Sequence, residues 1–276
     1  MADHQIERDG VSLSLSEHGE GIPVVLLHGL TATRRYVVMG SKALERSGHR
    51  VVAYDARGHG RSSPAPDPAA YGYDELARDL EAVLDGLGIE RAILAGASMG
   101  AHTLLALALR SPARAAGLVV ITPAYDGHTL DDPARMRRWD ELAAGLRSGG
   151  VEGFLAAYGR PPVSQAWQET VLKVIRQRLA QHTHPEALAD ALEVVPRSRP
   201  FARVEELGQI GVPVAVVASS DEADPEHPLA VGEAYARAIS GAELVTDEPG
   251  RSPVAWQGTQ LSAVIGGVAA RSELSA

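Results

Sequence analysis

The sequence predicts an α/β protein with a doubly wound, mostly parallel sheet and an inserted helical lid. Three observations lead to this prediction. Short apolar runs without alternation recur between residues 23 and 121, as is typical of strands buried on both faces. Helical segments separate these runs, and strands that alternate with helices favour a parallel sheet. From about residue 131 to residue 197 the pattern changes to helices alone, which predicts an insertion.

The chain begins with a predicted hairpin. Residues 5–8 and 11–16 alternate in polarity and are joined by Asp9-Gly10, a pair typical of two-residue hairpin turns. Buried strands follow, and they are expected at residues 23–27, 50–54, 92–95 and 117–121.

Helices are predicted between these strands. One has apolar residues at helical spacing, with Asp74 as its N-cap and Gly88 as its stop. Another should span residues 99–110, because Pro112 stands just beyond it. Both helices are expected to pack on the sheet.

The second half returns to the sheet after the helical stretch. We therefore predict a core made of residues 1–125 and 206–276, with a helical cap at residues 126–205. The later core elements are a strand, a helix, a strand and a final helix, expected at residues 213–218, 229–239, 243–246 and 255–270.

Composition narrows the function classes. The chain has 276 residues, enough for one large α/β domain with an inserted subdomain. Cysteine is absent, which excludes disulfides, thiolate catalysis and cysteine-ligated metal. The net charge of −9 disfavours nucleic acid and anionic membrane surfaces as partners. No stretch has the length and apolarity of a signal peptide or a membrane span, so we expect a cytoplasmic protein. The partner that we expect is a small-molecule substrate or ligand.

The strongest chemical signal is the segment Gly96-Ala97-Ser98-Met99-Gly100, between a predicted strand and a predicted helix. A serine on such a tight turn is held in a strained conformation with its hydroxyl exposed above the sheet. The helix N-terminus that follows brings the Met99 N–H close to a developing oxyanion. The alternative is an ordinary glycine-rich turn, but the strand and helix on either side favour a nucleophile elbow.

A second signal is Leu27-His28-Gly29-Leu30, after the third strand. Leu30 follows this strand directly, and its backbone N–H is our candidate for a second oxyanion donor. His28 stands at the strand end, where we expect it to bind the nearby loop in a structural role.

Residues 54–62 carry the third signal, an Asp-x-Arg-Gly-x-Gly-x-Ser loop after the fourth strand. The chain here resembles the α/β-hydrolase superfamily, in its lid-bearing esterase, peptidase and haloperoxidase-like branch. The resemblance covers nearly the whole length and is most specific at residues 24–30, 54–62 and 96–100. It implies that the loop supports the elbow, so that Asp55, Arg57 and His59 are structural.

The resemblance also implies an acid after the strand at residues 213–218. Asp224, followed four residues later by Pro228, resembles the family's acid position, and Asp221 is the alternative. His227 stands where many relatives carry a structural His-Pro pair, so we assign it mainly a structural role.

The general base departs from the family pattern. Arg251 occupies the place of the usual histidine in the loop before the last helix, and no histidine follows His227. Arginine stays protonated at ordinary pH and cannot take a proton from Ser98. His128 is the best substitute by location, and His102 and His227 are further candidates, although a structural role is favoured for each.

Three functions are compatible with these residues. The resemblance implies a serine hydrolase acting on a small ester, thioester, lactone or amide, with Ser98 attacking. The alternative is a catalytically impaired member that binds a small ligand beneath the lid, for example an anion held by Arg251. A lyase or cofactor-free oxygenase ranks last, because such chemistry generally also needs the histidine. We expect no cofactor and no metal, since His182 and His184 have no acidic third ligand at suitable spacing.

Overall fold

A computed structural model describes residues 2–128, 130, 132–219, 226–247 and 256–275. It contains one eight-stranded sheet in the order β1-β2-β4-β3-β5-β6-β7-β8. Strands β1 and β2 run antiparallel to their neighbours, and the other strands are parallel. The strands are β1 Ala2–Arg8, β2 Val11–His18, β3 Ile22–Leu27, β4 His49–Tyr54, β5 Ala92–Ala97, β6 Ala115–Ile121, β7 Val214–Ala218 and β8 Glu243–Thr246.

Helices cover both faces of the sheet, so the predicted doubly wound fold class is confirmed. Strand β5 shows why its sequence does not alternate. Ile93 packs into the core on the face of α8 and Leu94 into the core on the face of α2 and α3, and both are fully buried. The helices are α1 Ala43–Arg46, α2 Tyr73–Gly86, α3 Met99–Arg110, α4 Pro133–Tyr158, α5 Gln165–Leu179, α6 Pro185–Val194, α7 Leu229–Ala238 and α8 Gly258–Ala270.

The predicted hairpin forms between β1 and β2. Asp9 and Gly10 both have positive φ, 48° and 78°, as the expected two-residue turn requires. The hairpin extends the sheet beyond β4, at the edge opposite β8.

The N-cap predicted at Asp74 is wrong. Helix α2 begins at Tyr73 after Gly72, and Asp74 lies in the first turn. The Tyr73 N–H donates to Ser198 Oγ at 2.8 Å, 125 residues away in sequence. The first turn of α2 therefore donates a hydrogen bond to a residue distant in sequence. The sequence predicted that the nearby Asp74 carboxylate would accept it.

Three helices, α4, α5 and α6, separate β6 from β7, and we call them the insertion helices. No strand interrupts them in the described part of residues 122–213. Helix α4 changes direction at Gly150 (φ 59°, ψ −142°), and its two halves pack closely where Gly145 meets Gly153. All three insertion helices lie within the predicted cap, residues 126–205. Among the described residues, no helix is both long and apolar enough to cross a membrane.

Candidate active site

Ser98 stands between β5 and α3 with φ 50° and ψ −111°, a region that non-glycine residues rarely occupy. The glycines on either side allow the tight turn. A Cβ on Gly96 would lie 2.4 Å from the carbonyl carbon of Gly100, and a Cβ on Gly100 would lie 2.2 Å from the Leu27 carbonyl oxygen. Only glycine fits at these two positions, so strand and helix meet closely and Ser98 projects above the sheet edge.

Ser98 opens into a cavity of about 610 Å³ between the carboxyl edge of the sheet and the insertion helices. The core contributes one wall, including Leu30, Tyr73 and Met99, and the insertion helices contribute the opposite wall, including Arg135 and Trp139. A cavity of this size is typical of a small-molecule site.

His227 forms the central contact of the site. Its Nε2 lies 2.8 Å from Ser98 Oγ. An unprotonated Nε2 can accept the serine O–H, which is the arrangement of a nucleophile and its general base. From sequence, His227 was assigned mainly a structural role and named as a further candidate base, and the structure places its ring against Ser98.

The strand order explains how His227 reaches Ser98. Ser98 follows β5 and His227 lies in the loop between β7 and α7, and only β6 separates the two strands in the sheet. Parallel strands bring their carboxyl ends to one edge, so loops after β5 and β7 meet there. The family pattern places the base after the last strand, so from sequence His227 is only a further candidate. The signal that favours it is that His227 is the last histidine of the chain and follows a core strand.

The predicted acid Asp224, its alternative Asp221, and Arg251 at the usual histidine position all lie outside the described residues. A carboxylate that sequence reasoning missed stands at the same edge. Asp247, directly after β8, accepts a hydrogen bond from Ser219 Oγ at 3.0 Å, and Ser219 lines the cavity.

The two predicted oxyanion donors, Leu30 and Met99, both line the cavity. Met99 is the first residue of α3, where N–H groups have no partner within the helix and the helix dipole is positive. A hydrogen bond to a buried histidine fixes the loop that carries Leu30, because Leu30 O lies 2.7 Å from His59 Nε2. These backbone groups can receive negative charge next to Ser98.

His28 braces the same loop. Its Nε2 accepts the Ala56 N–H at 2.9 Å, so its Nδ1 carries the proton and donates to Gly29 O at 2.8 Å. Burial lowers the pKa of His28 to about 3, with the neighbouring His59 adding to the effect. The ring is therefore neutral and structural at ordinary pH.

The loop at residues 54–62 is fixed by buried charges. Asp55 accepts the backbone N–H groups of Arg34 and Arg61 at 2.8 and 3.1 Å. Arg57 forms a bidentate pair with Asp79 at 2.7 Å for each bond. All of these contacts hold the loop in place, and Asp55 and Arg57 do not line the cavity.

The other candidate bases are placed less favourably. His128 is exposed, does not line the cavity, and its backbone N–H donates to Asp126 Oδ1. His102 lines the cavity, but its Nε2 accepts the N–H groups of Ala124 and Tyr125, both at 3.2 Å. Neither ring has the contact with Ser98 that His227 makes.

His182 has a structural environment. Its Nδ1 accepts the Gly60 N–H at 3.0 Å, and burial lowers its pKa to about 3. Within the described ranges, no group of three or more His, Cys, Asp or Glu side chains is arranged to hold a metal ion.

One ion pair connects the insertion helices to the site. Arg135 in the first turn of α4 lies 3.1 Å from Glu226, the residue before His227. The two side chains are 24% and 51% exposed, so this pair is partly solvated. It joins the helical wall of the cavity to the loop that carries His227.

The strained serine elbow, the sheet order and the insertion after β6 define a member of a known class. The chain belongs to the α/β hydrolase fold family, whose model matches residues 22–200. A protein named as the carbamate hydrolase RutD of Variovorax paradoxus is 32% identical over 209 residues, 75% of this chain and 77% of that protein. The 3-oxoadipate enol-lactonase 1 of Acinetobacter baylyi is 29% identical over 232 residues, 82% of this chain and 81% of that protein.

Solved structures agree with this placement. A thermophilic esterase from Thermogutta terrifontis, solved with malate bound, superposes with a TM-score of 0.75 at 25% identity, covering 98% of this chain and 96% of that one. Some other curated relatives match over about half of their own length. The two relatives that match over most of their length are named as a carbamate hydrolase and an enol-lactonase, and this chain is an enzyme of their family.

Proposed function

We propose that this chain is a serine hydrolase of a small ester, thioester, lactone or amide, with Ser98 as nucleophile and His227 as general base. The observation that carries the proposal is the 2.8 Å contact between His227 Nε2 and Ser98 Oγ. A serine hydroxyl is a weak nucleophile until a neighbouring base takes its proton. The contact supplies that base at a serine already held in a strained elbow.

The proposed reaction has two halves. His227 Nε2 takes the Ser98 proton while Oγ bonds to the substrate carbonyl carbon, and the resulting oxyanion accepts hydrogen bonds from the Leu30 and Met99 N–H groups. His227 then returns the proton to the leaving group, and the C–O, C–S or C–N bond breaks to leave an acyl-Ser98 ester. Water, activated by His227, hydrolyses that ester and restores the hydroxyl.

Asp224 remains the proposed acid. It precedes His227 by three residues, and its role would be to accept the Nδ1–H and hold the ring in the tautomer that keeps Nε2 free. Asp247 is the comparison carboxylate, because it lies at the same edge of the sheet. Arg251 stays protonated and has no part in proton transfer under this proposal.

The substrate class rests on the cavity and on the relatives. The insertion helices are proposed to act as a lid, because their residues form the wall opposite Ser98. The names lactonase, carbamate hydrolase and esterase, which these relatives carry, each denote cleavage of a bond to a carbonyl carbon. The binding-protein alternative rests on the missing histidine at position 251, and under this proposal the loop after β7 supplies the base instead.

The test is hydrolysis of p-nitrophenyl butyrate by the wild type and by Ser98→Ala, His227→Ala and His128→Ala. We expect the first two variants to lose about a thousand-fold or more in kcat, because nucleophile and base act as a unit. His128→Ala should stay within about twofold, since its ring is exposed and lies outside the cavity wall. Activity that survives in His227→Ala and disappears in His128→Ala would reverse the assignment.

The acid is tested with a matched pair, Asp224→Asn and Asp247→Asn. Loss of the acid of a triad costs about ten-thousand-fold when asparagine selects the wrong histidine tautomer. We expect that loss for Asp224→Asn and a much smaller one for Asp247→Asn. The opposite result would make Asp247, after β8, the acid.

A further inference from the structure

A buried phenol in the cavity wall has a defined hydrogen-bond direction. Tyr73, the first residue of α2, is 5% exposed and lines the cavity together with Ser98 and His227. Its Oη lies 3.1 Å from Nδ1 of His102. The proposed reaction does not use this pair.

The backbone determines which atom of the pair is the donor. His102 Nε2 faces the N–H groups of Ala124 and Tyr125, both at 3.2 Å and both directed at it, so it carries no proton. Burial lowers the pKa of His102 to about 3, and the nearby His227 and Arg135 lower it further. The neutral ring must then hold its proton on Nδ1, and this N–H donates to Tyr73 Oη.

Tyr73 consequently keeps its own proton to donate elsewhere. Burial raises the pKa of the phenol well above its ordinary value, so the proton is present at any working pH. Within the described part of the chain, His102 is the hydrogen-bonding partner of the Tyr73 hydroxyl, and it does not accept this proton. A buried donor without an acceptor is unfavourable, and a ligand oxygen in the cavity would provide one.

The position of Tyr73 separates it from the bond that is cleaved. His102 is one helical turn beyond Ser98 on α3, since its N–H donates to Ser98 O. One turn is about 5 Å, and the phenol lies a further hydrogen bond away from His102. The scissile carbonyl is held against Ser98, so an atom two to four bonds further along the substrate is the better match for Tyr73.

We infer that Tyr73 is a specificity-determining residue, which donates a hydrogen bond to a second oxygen of the substrate outside the scissile group. His102 is the positioning residue that fixes the direction of this donor. The preferred substrates are esters or lactones that carry an additional ether, ketone or hydroxyl oxygen. This inference rests on the proposed hydrolase function.

The experiment compares matched esters that differ in one acceptor oxygen. The first pair is p-nitrophenyl methoxyacetate and p-nitrophenyl butyrate, and the second is p-nitrophenyl 4-oxopentanoate and 4-methylpentanoate. For each pair, kcat/KM is expressed as a ratio of the oxygenated ester to its partner, in the wild type and in Tyr73→Phe. Intrinsic reactivity and the folded fraction of a preparation cancel when these ratios are compared.

In at least one pair, we expect Tyr73→Phe to lower the ratio about tenfold, mainly through KM, because a buried hydrogen bond to the substrate is lost. His102→Leu should lower the same ratio by a smaller factor, since the phenol remains but loses the group that orients it. Tyr71→Phe is the control. Tyr71 is equally buried, but its hydroxyl accepts the Ala65 N–H and lies outside the cavity wall, so the ratio should not change.

The outcomes separate this inference from the proposed function. Ratios that stay within twofold in Tyr73→Phe, while hydrolysis still depends on Ser98, would overturn the inference and leave the function standing. An equal loss for both members of each pair leaves the ratio unchanged and overturns the inference in the same way. Absence of Ser98-dependent hydrolysis of all four esters by the wild type would contradict the function itself.

Discussion

Lowering the pH should destabilise this fold through histidines that are buried in their neutral form. His28 and His102 are each at most 3% exposed, and burial lowers the pKa of each from 6.5 to about 3. In the unfolded chain both rings bind a proton as the pH falls through 6.5, whereas the folded protein keeps them neutral until about pH 3. Their contribution to stability is therefore complete above about pH 7 and is lost progressively as the pH falls from 6.5 towards 3.

The size of the effect follows from the two pKa values. A pH of 5 lies about 1.5 units below the pKa of the imidazole in the unfolded chain, so that ring is almost fully protonated. The ring in the folded protein is neutral at the same pH. Since one unit corresponds to about 1.4 kcal/mol, each ring loses about 2 kcal/mol of stability relative to pH 8. His28 and His102 together lose about 4 kcal/mol, a large part of the roughly 5–15 kcal/mol typical of native proteins.

The assay is urea unfolding at pH 8 and at pH 5, for the wild type, His28→Asn and the exposed control His128→Asn. His28→Asn should be less stable at both pH values, because it loses buried packing and the bond to Ala56 N. Its difference between the two pH values should nevertheless be about 2 kcal/mol smaller than in the wild type, since one titrating ring is gone. His128→Asn should keep the wild-type difference. An unchanged pH difference in His28→Asn would refute the reasoning.

Two further predictions concern the fold around the site. Ser98→Gly should be more stable than Ser98→Ala by about 1–3 kcal/mol in urea unfolding, because glycine relieves the positive φ of 50° while both variants lose the hydroxyl; equal stabilities would mean that the elbow stores no strain. Asp79→Asn should destabilise by about 3–5 kcal/mol, since it leaves the Arg57 guanidinium buried without its bidentate partner. Glu193→Gln, which disrupts the exposed pair with Arg147, should cost about 1 kcal/mol or less by the same measurement, and a comparable loss in both variants would contradict the role of burial.

The fold was predictable because its signals are local. Neighbours along β5 such as Ile93 and Leu94 face opposite cores, so a doubly covered strand must be apolar throughout. The Asp9-Gly10 turn and the span of α3 are likewise determined by residues close in sequence. Where a distant residue replaces a local one, as Ser198 does at the start of α2, the sequence prediction was wrong.

The candidate site likewise has one part formed by residues close in sequence and one part formed by residues far apart in sequence. Ser98, Gly96 and Gly100 form one continuous turn, and the nucleophile position could be proposed from that turn alone. The sequence leaves the base open between His128, His102 and His227, because the proposed base His227 reaches Ser98 across 129 residues of sequence through the order of β5, β6 and β7. Spacing along the chain carries no information about which loop contacts the serine. The pairing of Tyr73 with His102 depends on packing between helices and was equally hidden.

The ion pair between Arg135 and Glu226 sets an energy scale for the position of the neighbouring His227. An exposed or half-exposed pair contributes at most about 1 kcal/mol, which corresponds to a population ratio of about five between the paired and separated arrangements. A ligand that binds one arrangement more tightly by a similar amount can therefore redistribute the two. Because His227 follows Glu226 directly, we expect a ligand in the cavity to change the fraction of molecules in which this proposed base contacts Ser98.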